Sequence, residues 1–167
     1  KKLVLLDCDE TGIFDIYDEL KDNARVDYVI ANIRDADAMF DTFGWYNPDI
    51  VFHAAAYKHI ALMERYPEEA RKTNVEGLKN VIDAAIGTKT EKFIFISSDK
   101  AVNPTCVMGK TKKIGEELCL EDKLFGDTKF IVVRCGNVMP SRGSVVPIFQ
   151  KQIAEGKNLT VTDRKMK

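Results

Sequence analysis

Short runs of mostly apolar residues alternate with longer amphipathic segments along the whole chain. The runs predict strands at residues 3–6, 26–30, 50–52, 93–96, 130–133 and, more weakly, 159–161. Within most runs the apolar residues are consecutive rather than alternating, which is typical of strands buried on both faces of a parallel sheet. Strands and helices in alternation then predict an α/β fold with a doubly wound parallel sheet.

The segments between the runs carry apolar residues at the period of a helix. They predict helices at about 13–20, 35–44, 67–87, 108–124 and 145–155. Pro67 suits the first turn of the third helix, and Gly44 and Gly87 suit the ends of the second and third helices. One face of the third helix carries Asn74, Leu78, Val81, Ile82 and Ala85.

Length, charge and cysteine usage narrow the class of protein. The 167 residues suffice for one domain, and 45% hydrophobic with 31% charged residues is typical of a globular chain. Interspersed charges that sum to −1 predict no face for binding nucleic acid or membranes. No apolar run approaches the roughly 20 residues of a membrane span and no signal peptide opens the chain, which favours the cytoplasm. Four cysteines without a CxxC pair and two histidines predict reduced thiols and no metal site.

The residues that follow the strands are the candidates for a site, because ligands of doubly wound folds bind at the strand ends. Asp7 follows the first run. In dinucleotide-binding folds, an acidic residue about 20 residues after a G-x-G-x-x-G sequence binds the adenosine ribose. No such glycine sequence occurs in this chain, and counting back from Asp7 it would fall before residue 1. We therefore expect the chain to lack the first strand and the glycine-rich loop of such a domain.

Two interpretations of Asp7 stay open at this point, a ribose contact and a side chain that only caps a turn. If the first holds, the acidic neighbours Asp9 and Glu10 favour NAD over NADP, because a 2′-phosphate would be repelled. After the second run, Asn32 could pair with adenine while Ile33 packs on its face. A helix N-cap followed by a core residue is an equally good interpretation of that pair.

The third run leads into HAAAYKH, in which small side chains allow close approach of a ligand to the backbone. We expect Ala54, Ala55 and Ala56 to pass beside the dinucleotide, and Lys58 to contact a phosphate or the substrate. Histidines in such positions are more often structural than ligating. We therefore place His53 in the core, with His59 at the surface.

The fourth run ends at a cluster of polar residues that we interpret as catalytic. Ser98, Asp99 and Lys100 follow it directly, and a helix with Met108 and Lys112 comes next. In many nucleotide-cofactor enzymes this four-residue spacing carries a tyrosine base and a lysine that lowers its pKa, but methionine cannot transfer a proton. We assign substrate binding to residues further along the chain. These are Asn103 after the fourth run, and Asn137, Ser144 and Val145 after the fifth. Asn137 could equally be a turn-forming side chain.

Four segments of the chain together carry a resemblance to a known family. They are HAAAYKHIALME, TNVEGLKNV, SSDKAVNPTCVMGKTK and RCGNVMPSRGSVVP. They resemble the CapD-like polysaccharide-biosynthesis dehydratases, nucleotide-sugar 4,6-dehydratases of the extended short-chain dehydrogenase/reductase superfamily. The resemblance implies a Rossmann fold, bound NAD(P), and conversion of a UDP-N-acetylglucosamine-type substrate to its 4-keto-6-deoxy product for bacterial capsule or glycan synthesis. One branch of the family carries methionine in place of the tyrosine, and Met108 makes this chain resemble that branch.

The resemblance also implies a role for each catalytic candidate. Asp99 is the acid for the departing 6-hydroxyl, Lys100 is the base for the C5 proton, and Ser98 lies near the 4-hydroxyl. Lys112 holds the nicotinamide ribose, and Met108 has no part in proton transfer. The charge of Lys100 would lower the pKa of Asp99, which disfavours an acid, whereas burial against bound sugar and cofactor opposes that shift.

The chain departs from the family pattern in a few places. Ser98 replaces a threonine, Cys106 stands where asparagine or serine is commoner, and Pro140 replaces a glycine. The C-terminal substrate lobe is expected to be largely absent as well. We therefore interpret residues 1–167 as a partial Rossmann domain, inactive alone, of a parent enzyme that is a homo-oligomer. Any membrane tether of the parent would lie in an N-terminal region outside this chain, at the cytoplasmic face of the inner membrane.

Two other functions compete with the dehydratase. A nucleotide-sugar epimerase of the same fold needs the hydride step without elimination, and it has no use for an acid such as Asp99 at C6. A non-catalytic Rossmann module that binds a nucleotide or a partner is the second alternative.

Overall fold

The computed structural model describes residues 1–121, 126–136, 138 and 145–161, and strands and helices alternate along these residues. The strands are β1 (Leu3–Asp7), β2 (Val26–Ile30), β3 (Ile50–His53), β4 (Lys92–Ser98) and β5 (Lys129–Cys135). The helices are α1 (Glu10–Leu20), α2 (Ala36–Tyr46), α3 (Ile60–Arg65), α4 (Pro67–Arg71), α5 (Leu78–Gly87), α6 (Val107–Leu120) and α7 (Val145–Ala154). A π-helical stretch (Lys72–Gly77) joins α4 to α5, and a 3₁₀ turn (Asp99–Ala101) follows β4. The alternation confirms the predicted α/β class.

The strands form two separate sheets. β1 and β2 pair in parallel, with Leu3 opposite Val26. β3, β4 and β5 form the second sheet in that order, and β3 and β4 are parallel. In the described part of the chain, β1 therefore has β2 as its only partner, and β3 has only β4.

The main core lies under β4 and the long helical segment from Pro67 to Gly87. Phe93 and Phe95 of β4 are almost fully buried, and Leu78 of α5 and Met39 of α2 have no exposed surface. The predicted buried face of the third helix is confirmed, since all five of its residues are at most 5% exposed. A second, smaller cluster consists of Met63, Ala70 and Met108.

Several predicted boundaries are wrong for physical reasons. Gly44 does not end α2, which continues to Tyr46 and is stopped by Asn47 in the left-handed conformation (φ 43°). Asparagine tolerates this conformation better than most residues because its short polar side chain can hydrogen-bond locally. Residues 159–161 do not form a strand, and α3 was not predicted.

The strands were predicted to be buried on both faces. This is true of β4 but not of the other strands. Residues 93–95 are consecutively buried, whereas Phe52 of β3 is 73% exposed and Leu3 of β1 is 51% exposed. The continuous apolar runs of β1 and β3 thus lie on edges that no other described strand covers.

The chain divides into two compact units, Lys1–Arg134 and Cys135–Lys167. Within the second unit, the segment after α7 folds back on the helix. The Gln152 side chain donates to Thr160 Oγ1 at 2.8 Å and accepts from the Thr160 backbone N–H at 3.1 Å. Among the described residues, no helix is long and apolar enough to cross a bilayer.

Candidate active site

The end of β4 brings a hydroxyl, a carboxylate and an ammonium group together. Ser98 Oγ donates to Asp99 Oδ1 at 2.9 Å, and Lys100 Nζ donates to the same oxygen at 2.9 Å. The Ser98 hydroxyl also caps the 3₁₀ turn by accepting from the Lys100 backbone N–H at 3.3 Å. The hydrogen bond from Lys100, followed by that from Ser98, lowers the pKa of Asp99 below its ordinary value. Without a ligand, Asp99 is therefore an ionised carboxylate in water contact.

Lys112 approaches the same strand end from α6 and is buried. Its Nζ donates to the carbonyl oxygen of Ile96 at 2.7 Å and lies 4.7 Å from the centroid of the Phe95 ring. Only 7% of the residue is exposed. Burial lowers the pKa of Lys112 to about 8, because desolvation penalises the charged form.

Met108 lies one helical turn before Lys112, and it is 6% exposed. It packs with Met63 of α3 and Ala70 of α4 in the small cluster, against the partly buried Cys106 and Val107. A buried thioether with these neighbours fills space and neither donates nor accepts a proton.

The start of α6 is fixed closely against the 3₁₀ turn. A Cβ on Gly109 would lie 2.5 Å from the carbonyl oxygen of Lys100, a distance that no side chain tolerates. Cys106, one of the departures from the family pattern, caps the helix by accepting from the Gly109 N–H at 3.3 Å through its sulfur. Glu64 of α3 accepts a second first-turn N–H, that of Val107, at 2.7 Å. The backbone that carries Lys100 is thereby held against α6.

Sequence reasoning missed the part played by Asn74, which fixes the loop after β3. Its side-chain oxygen accepts from the Tyr57 N–H at 2.8 Å, and its amide donates to the Tyr57 carbonyl at 3.0 Å and to Thr111 Oγ1 at 2.9 Å. The residue is 2% exposed and sits in the π-helical stretch. A single amide on an otherwise apolar helix face was the signal that could have identified it, because buried amides are retained where they are fully hydrogen-bonded.

Arg34 was also missed, and it ties the end of β2 to α4 and the π-helical stretch. Its guanidinium donates to Glu69 Oε2 at 2.7 Å and to Thr73 Oγ1 at 2.6 Å, and it lies 5.4 Å from the Tyr57 ring centroid. Asn32 does not cap α2. Its Oδ1 accepts from the Arg34 N–H at 3.0 Å, whereas Asp35 caps the helix.

The other predicted cofactor residues lie around an open cleft between β1 and β3. Asp7 is exposed, and its Oδ1 accepts from the Asp9 N–H at 3.0 Å, so the turn-capping interpretation holds for that oxygen. Ala54, Ala55 and Ala56 line the cleft. Ile33 also lines it but is 7% exposed and belongs to the core, while Lys58 and Asn103 are exposed.

His53 is a core residue, as predicted. It is 4% exposed and its ring stacks near those of Phe93 and Phe95, with centroids 5.9 and 6.0 Å away. Burial lowers its pKa to about 3, so the imidazole is neutral. Its Nε2 has no hydrogen-bond partner among the described residues.

A buried charge array links the ends of β4 and β5. Glu116 of α6 is 1% exposed and accepts from Ser97 Oγ at 2.6 Å. Arg134 donates to both of its carboxylate oxygens, at 2.8 and 2.6 Å. The hydrogen bond from Arg134 is the main reason that the pKa of Glu116 is lowered.

Three of the predicted substrate residues lie after β5. Asn137 and Ser144 are outside the described residues, as is Pro140. Val145 is the first residue of α7 and is 46% exposed.

The fold and the site together define a class of protein. Parallel strands with polar side chains at their carboxyl ends are the arrangement in which doubly wound α/β folds bind their ligands, dinucleotides among them. Residues 1–167 match the family model described as polysaccharide biosynthesis protein, and the chain therefore belongs to that family.

Curated relatives agree with the family. The chain is 49% identical to the probable polysaccharide biosynthesis protein EpsC of Bacillus subtilis, over 97% of this chain and 28% of that protein. It is 42% identical to the capsular polysaccharide biosynthesis protein CapD of Staphylococcus aureus, over 99% of this chain and 28% of that protein. A UDP-glucose 4-epimerase of Rickettsia prowazekii is 43% identical, over 86% and 42%. The chain thus spans less than half the length of each of these relatives.

Solved structures confirm the predicted Rossmann fold. Pen from Bacillus thuringiensis superposes with a TM-score of 0.93 at 41% identity, over 99% of this chain and 52% of that one. DesIV, a dTDP-glucose 4,6-dehydratase of Streptomyces venezuelae solved with NAD, gives 0.84 at 18% identity, over 95% and 54%. The UDP-glucose 4-epimerase of Thermotoga maritima gives 0.84 at 23% identity, over 98% and 58%. At these lower identities the last two show the fold alone.

Proposed function

We propose that this chain is the nucleotide-binding part of a longer NAD-dependent 4,6-dehydratase that acts on UDP-N-acetylglucosamine. The observation that carries the proposal is the linked array of Ser98, Asp99 and Lys100 at the end of β4, with the buried Lys112 beside it. An acid, a base and a hydroxyl at one strand end are what an elimination of water requires. The membership in a polysaccharide-biosynthesis family supports a nucleotide-sugar substrate.

The reaction would convert the sugar to its 4-keto-6-deoxy form with no net oxidation. NAD, when bound, would supply the reversible hydride transfer that this conversion needs. Ser98 hydrogen-bonds the 4-hydroxyl, whose proton is released to solvent as C4 becomes a ketone. Lys100 removes the proton from C5, and Asp99 gives a proton to the departing 6-hydroxyl. The C–O bond at C6 then breaks and water leaves, and Lys100 returns a proton to C5 when the hydride has been added to C6.

Asp99 and Lys100 reach their active protonation states through one proton shift. In the free protein the carboxylate and the ammonium group share a 2.9 Å hydrogen bond, which stabilises the charged pair. Their side chains are 58% and 36% exposed. A bound sugar and cofactor would exclude water from the pair, and desolvation favours transfer of the proton from Lys100 Nζ to Asp99 Oδ1. The product of that transfer is a neutral base and a neutral acid, which are the species that the elimination needs.

The residues present fit a nicotinamide dinucleotide. Ala54, Ala55 and Ala56 offer a wall without large side chains, and Asp7 at the end of β1 offers a carboxylate for a ribose. Lys112 would hold the nicotinamide ribose, and Asn32 at the end of β2 is exposed and would contact adenine. We favour NAD over NADP because Asp7, Asp9 and Glu10 place three carboxylates at this strand end.

The experiment is to incubate the complete enzyme with UDP-N-acetylglucosamine and NAD in D₂O and to follow the sugar by NMR. A dehydratase yields a 4-keto-6-deoxy sugar that carries solvent deuterium at C5, because the abstracted proton exchanges. An epimerase yields an inverted C4 hydroxyl without deuterium at C5. No product together with intact nucleotide binding would identify a non-catalytic module. Either of the last two results would contradict the proposal.

The epimerase stays the second candidate because a relative of that description is 43% identical to this chain. Asp99 and Lys100 favour the dehydratase, since an epimerase transfers hydride at C4 and needs no acid at C6. Ser98 serves either reaction.

We further infer that the complete enzyme is a cytoplasmic homo-oligomer. It would bind a UDP-sugar and no nucleic acid, and any membrane tether would come from another region. Sedimentation of the complete enzyme and fractionation of its cells would test these points.

A further inference from the structure

Two polar side chains of α6 hold the end of β4 at consecutive residues. Lys112 Nζ donates to the carbonyl oxygen of Ile96 at 2.7 Å, and one helical turn later Glu116 Oε1 accepts from Ser97 Oγ at 2.6 Å. Residues four apart lie on the same face of a helix, so a single face of α6 makes both bonds. The strand is thereby attached to the helix immediately before Ser98.

A further attachment fixes the 3₁₀ turn Asp99–Ala101, which we call the acid–base turn. The carbonyl oxygen of Lys100 lies so close to Gly109 of α6 that a Cβ there would be 2.5 Å from it. The turn has three residues and begins directly after β4. It therefore lies between two attachments to the same helix, and a shift at either one would move the candidate acid and base.

The acceptor of the Ser97 hydroxyl is held in place on both of its oxygens. Arg134 of β5 donates to Glu116 Oε1 at 2.8 Å and to Oε2 at 2.6 Å. Glu116 is 1% exposed and Ser97 is 5% exposed, so water has little access to the bond between them. The hydroxyl of Ser97 thus joins β4 to a carboxylate that is itself fixed to the neighbouring strand.

Stability alone does not account for such an array. A buried ion pair often stabilises a fold no more than apolar residues of similar volume do. Apolar residues, however, can slide past one another, whereas the hydrogen bond from Ser97 to Glu116 joins one atom of the strand to one atom of the helix. The array therefore determines where along α6 the end of β4 lies.

We propose that Ser97 is a positioning residue of the dehydration, whose buried hydroxyl fixes the end of β4 to α6 and so aims Asp99 and Lys100 at C6 and C5 of the sugar. The inference rests on the proposed function. Ser97 acts through the turn, because its hydroxyl donates to Glu116 rather than to a ligand. Such fixing matters to the rate, since a displacement of about 1 Å at a reacting group can cost about 10²-fold.

The test is Ser97→Ala in the complete enzyme, with UDP-N-acetylglucosamine that carries deuterium at C4 or at C5. Ser98 ends β4, whereas Asp99 and Lys100 lie beyond it, so a loosened turn should slow the elimination more than the hydride step at C4. We expect kcat to fall about tenfold to a hundredfold. The isotope effect of C5 deuterium should rise, and that of C4 deuterium should fall. NAD affinity in calorimetric titration should stay close to that of the wild type.

Two further variants separate positioning from folding. Thr88→Val is the matched control, because Thr88 Oγ1 donates to the Ala84 carbonyl at 3.0 Å in the segment before the amino end of β4. It also loses a partly buried hydroxyl, and its kcat and isotope effects should equal those of the wild type. Ser97→Thr keeps the hydroxyl and should return both isotope effects towards their wild-type values.

Two results would overturn this inference alone, in an enzyme whose wild type forms the 4-keto-6-deoxy sugar. Unchanged isotope effects in Ser97→Ala, with kcat lowered only as far as the folded fraction falls, would show that the hydroxyl serves the fold and nothing more. Isotope effects that shift as far in Ser97→Thr as in Ser97→Ala would assign the change to packing. A wild type that forms no 4-keto sugar would overturn the proposed function, and this inference with it.

Discussion

Lys112 Nζ donates a 2.7 Å hydrogen bond to the carbonyl oxygen of Ile96, two residues before Ser98. This bond joins α6 to β4 close to the strand end where the candidate acid and base follow. The backbone carbonyl and the Phe95 ring are the partners that let a lysine stay at 7% exposure. They do not fully offset the cost of burial, and the pKa of Lys112 falls to about 8.

The pKa of Lys112 predicts a pH-dependent stability. The folded pKa of about 8 lies below the ordinary value of 10.5, so between these pH values the unfolded chain binds more protons than the folded chain. The free energy of unfolding therefore gains a contribution from Lys112 as pH rises from 8 to 10.5. Replacing Lys112 by Met should remove this contribution. The free energy of unfolding of the variant, relative to that of the wild type, should therefore be higher at pH 7 than at pH 10. Urea unfolding at both pH values measures the difference.

Lys110→Met is the matched control, since Lys110 is exposed on the same helix. Its stability difference from the wild type should be the same at both pH values. A stability difference for Lys112→Met that does not change with pH would show that the ammonium group is not desolvated.

Lys100→Ala in the complete enzyme should abolish dehydration while NAD affinity stays nearly unchanged. Loss of a proton-transfer group typically lowers kcat by about 10²–10⁴-fold. Lys100 would face the sugar rather than the cofactor, so calorimetric titration with NAD should give a Kd close to that of the wild type. Wild-type turnover by this variant would remove Lys100 from the mechanism.

Met108→Leu should keep most of the activity of the complete enzyme. The substitution conserves volume in the cluster with Met63 and Ala70, and such swaps usually cost less than about 1.5 kcal/mol. Thermal unfolding of the variant serves as the folding control. A folded Met108→Leu protein with almost no turnover would give Met108 a chemical role that a thioether in this packing cannot explain.

Glu116→Ala should destabilise the chain strongly. It leaves the Arg134 guanidinium and the Ser97 hydroxyl without their acceptor, and breaking a buried pair costs about 3–5 kcal/mol. We expect about 3 kcal/mol, at the low end, because the Arg134 side chain is 45% exposed. Ser97→Ala removes a single hydrogen bond to the same carboxylate and should cost about 1 kcal/mol. Equal costs in urea unfolding would show that the ion pair contributes nothing beyond the hydroxyl.

The pKa of Glu116 gives the same array a pH signature. Its folded pKa is lowered, chiefly by the hydrogen bond from Arg134, so its stabilising contribution is present above the ordinary value of 4.5 and is lost as pH falls below it. The stability of the Glu116→Gln variant should therefore fall less than that of the wild type as pH drops below 4.5.

The strands were predictable because local pattern determines them. The runs at 26–30 and 93–96 lie within β2 and β4. In β4 the apolar side chains are consecutive and residues 93–95 are buried, as is typical of a strand inside a parallel sheet. The run at 159–161 fails for the opposite reason. It has the local composition of a strand but pairs with no other strand in the described residues, and a strand needs a partner.

The site was predictable in part. The placement of Ser98, Asp99 and Lys100 together follows from their adjacency, and Lys112 of α6 reaches the same strand at Ile96. Contacts between distant residues were not predictable. Arg34 meets Glu69 across 35 positions, and Glu116 meets Arg134 across 18, and nothing in a single sequence pairs such charges.

The isolated chain of 167 residues should bind NAD weakly and show no dehydratase activity. No G-x-G-x-x-G sequence occurs in it, and a glycine-rich loop with its helix N-terminus is what normally binds the pyrophosphate. The cleft beside Ala54–Ala56 stays open, because β1 and β3 do not pair with each other. Calorimetric titration with NAD, run on a sample whose mass is checked by light scattering, measures the affinity. Micromolar binding by a monodisperse monomer would mean that the residues present hold the dinucleotide without such a loop.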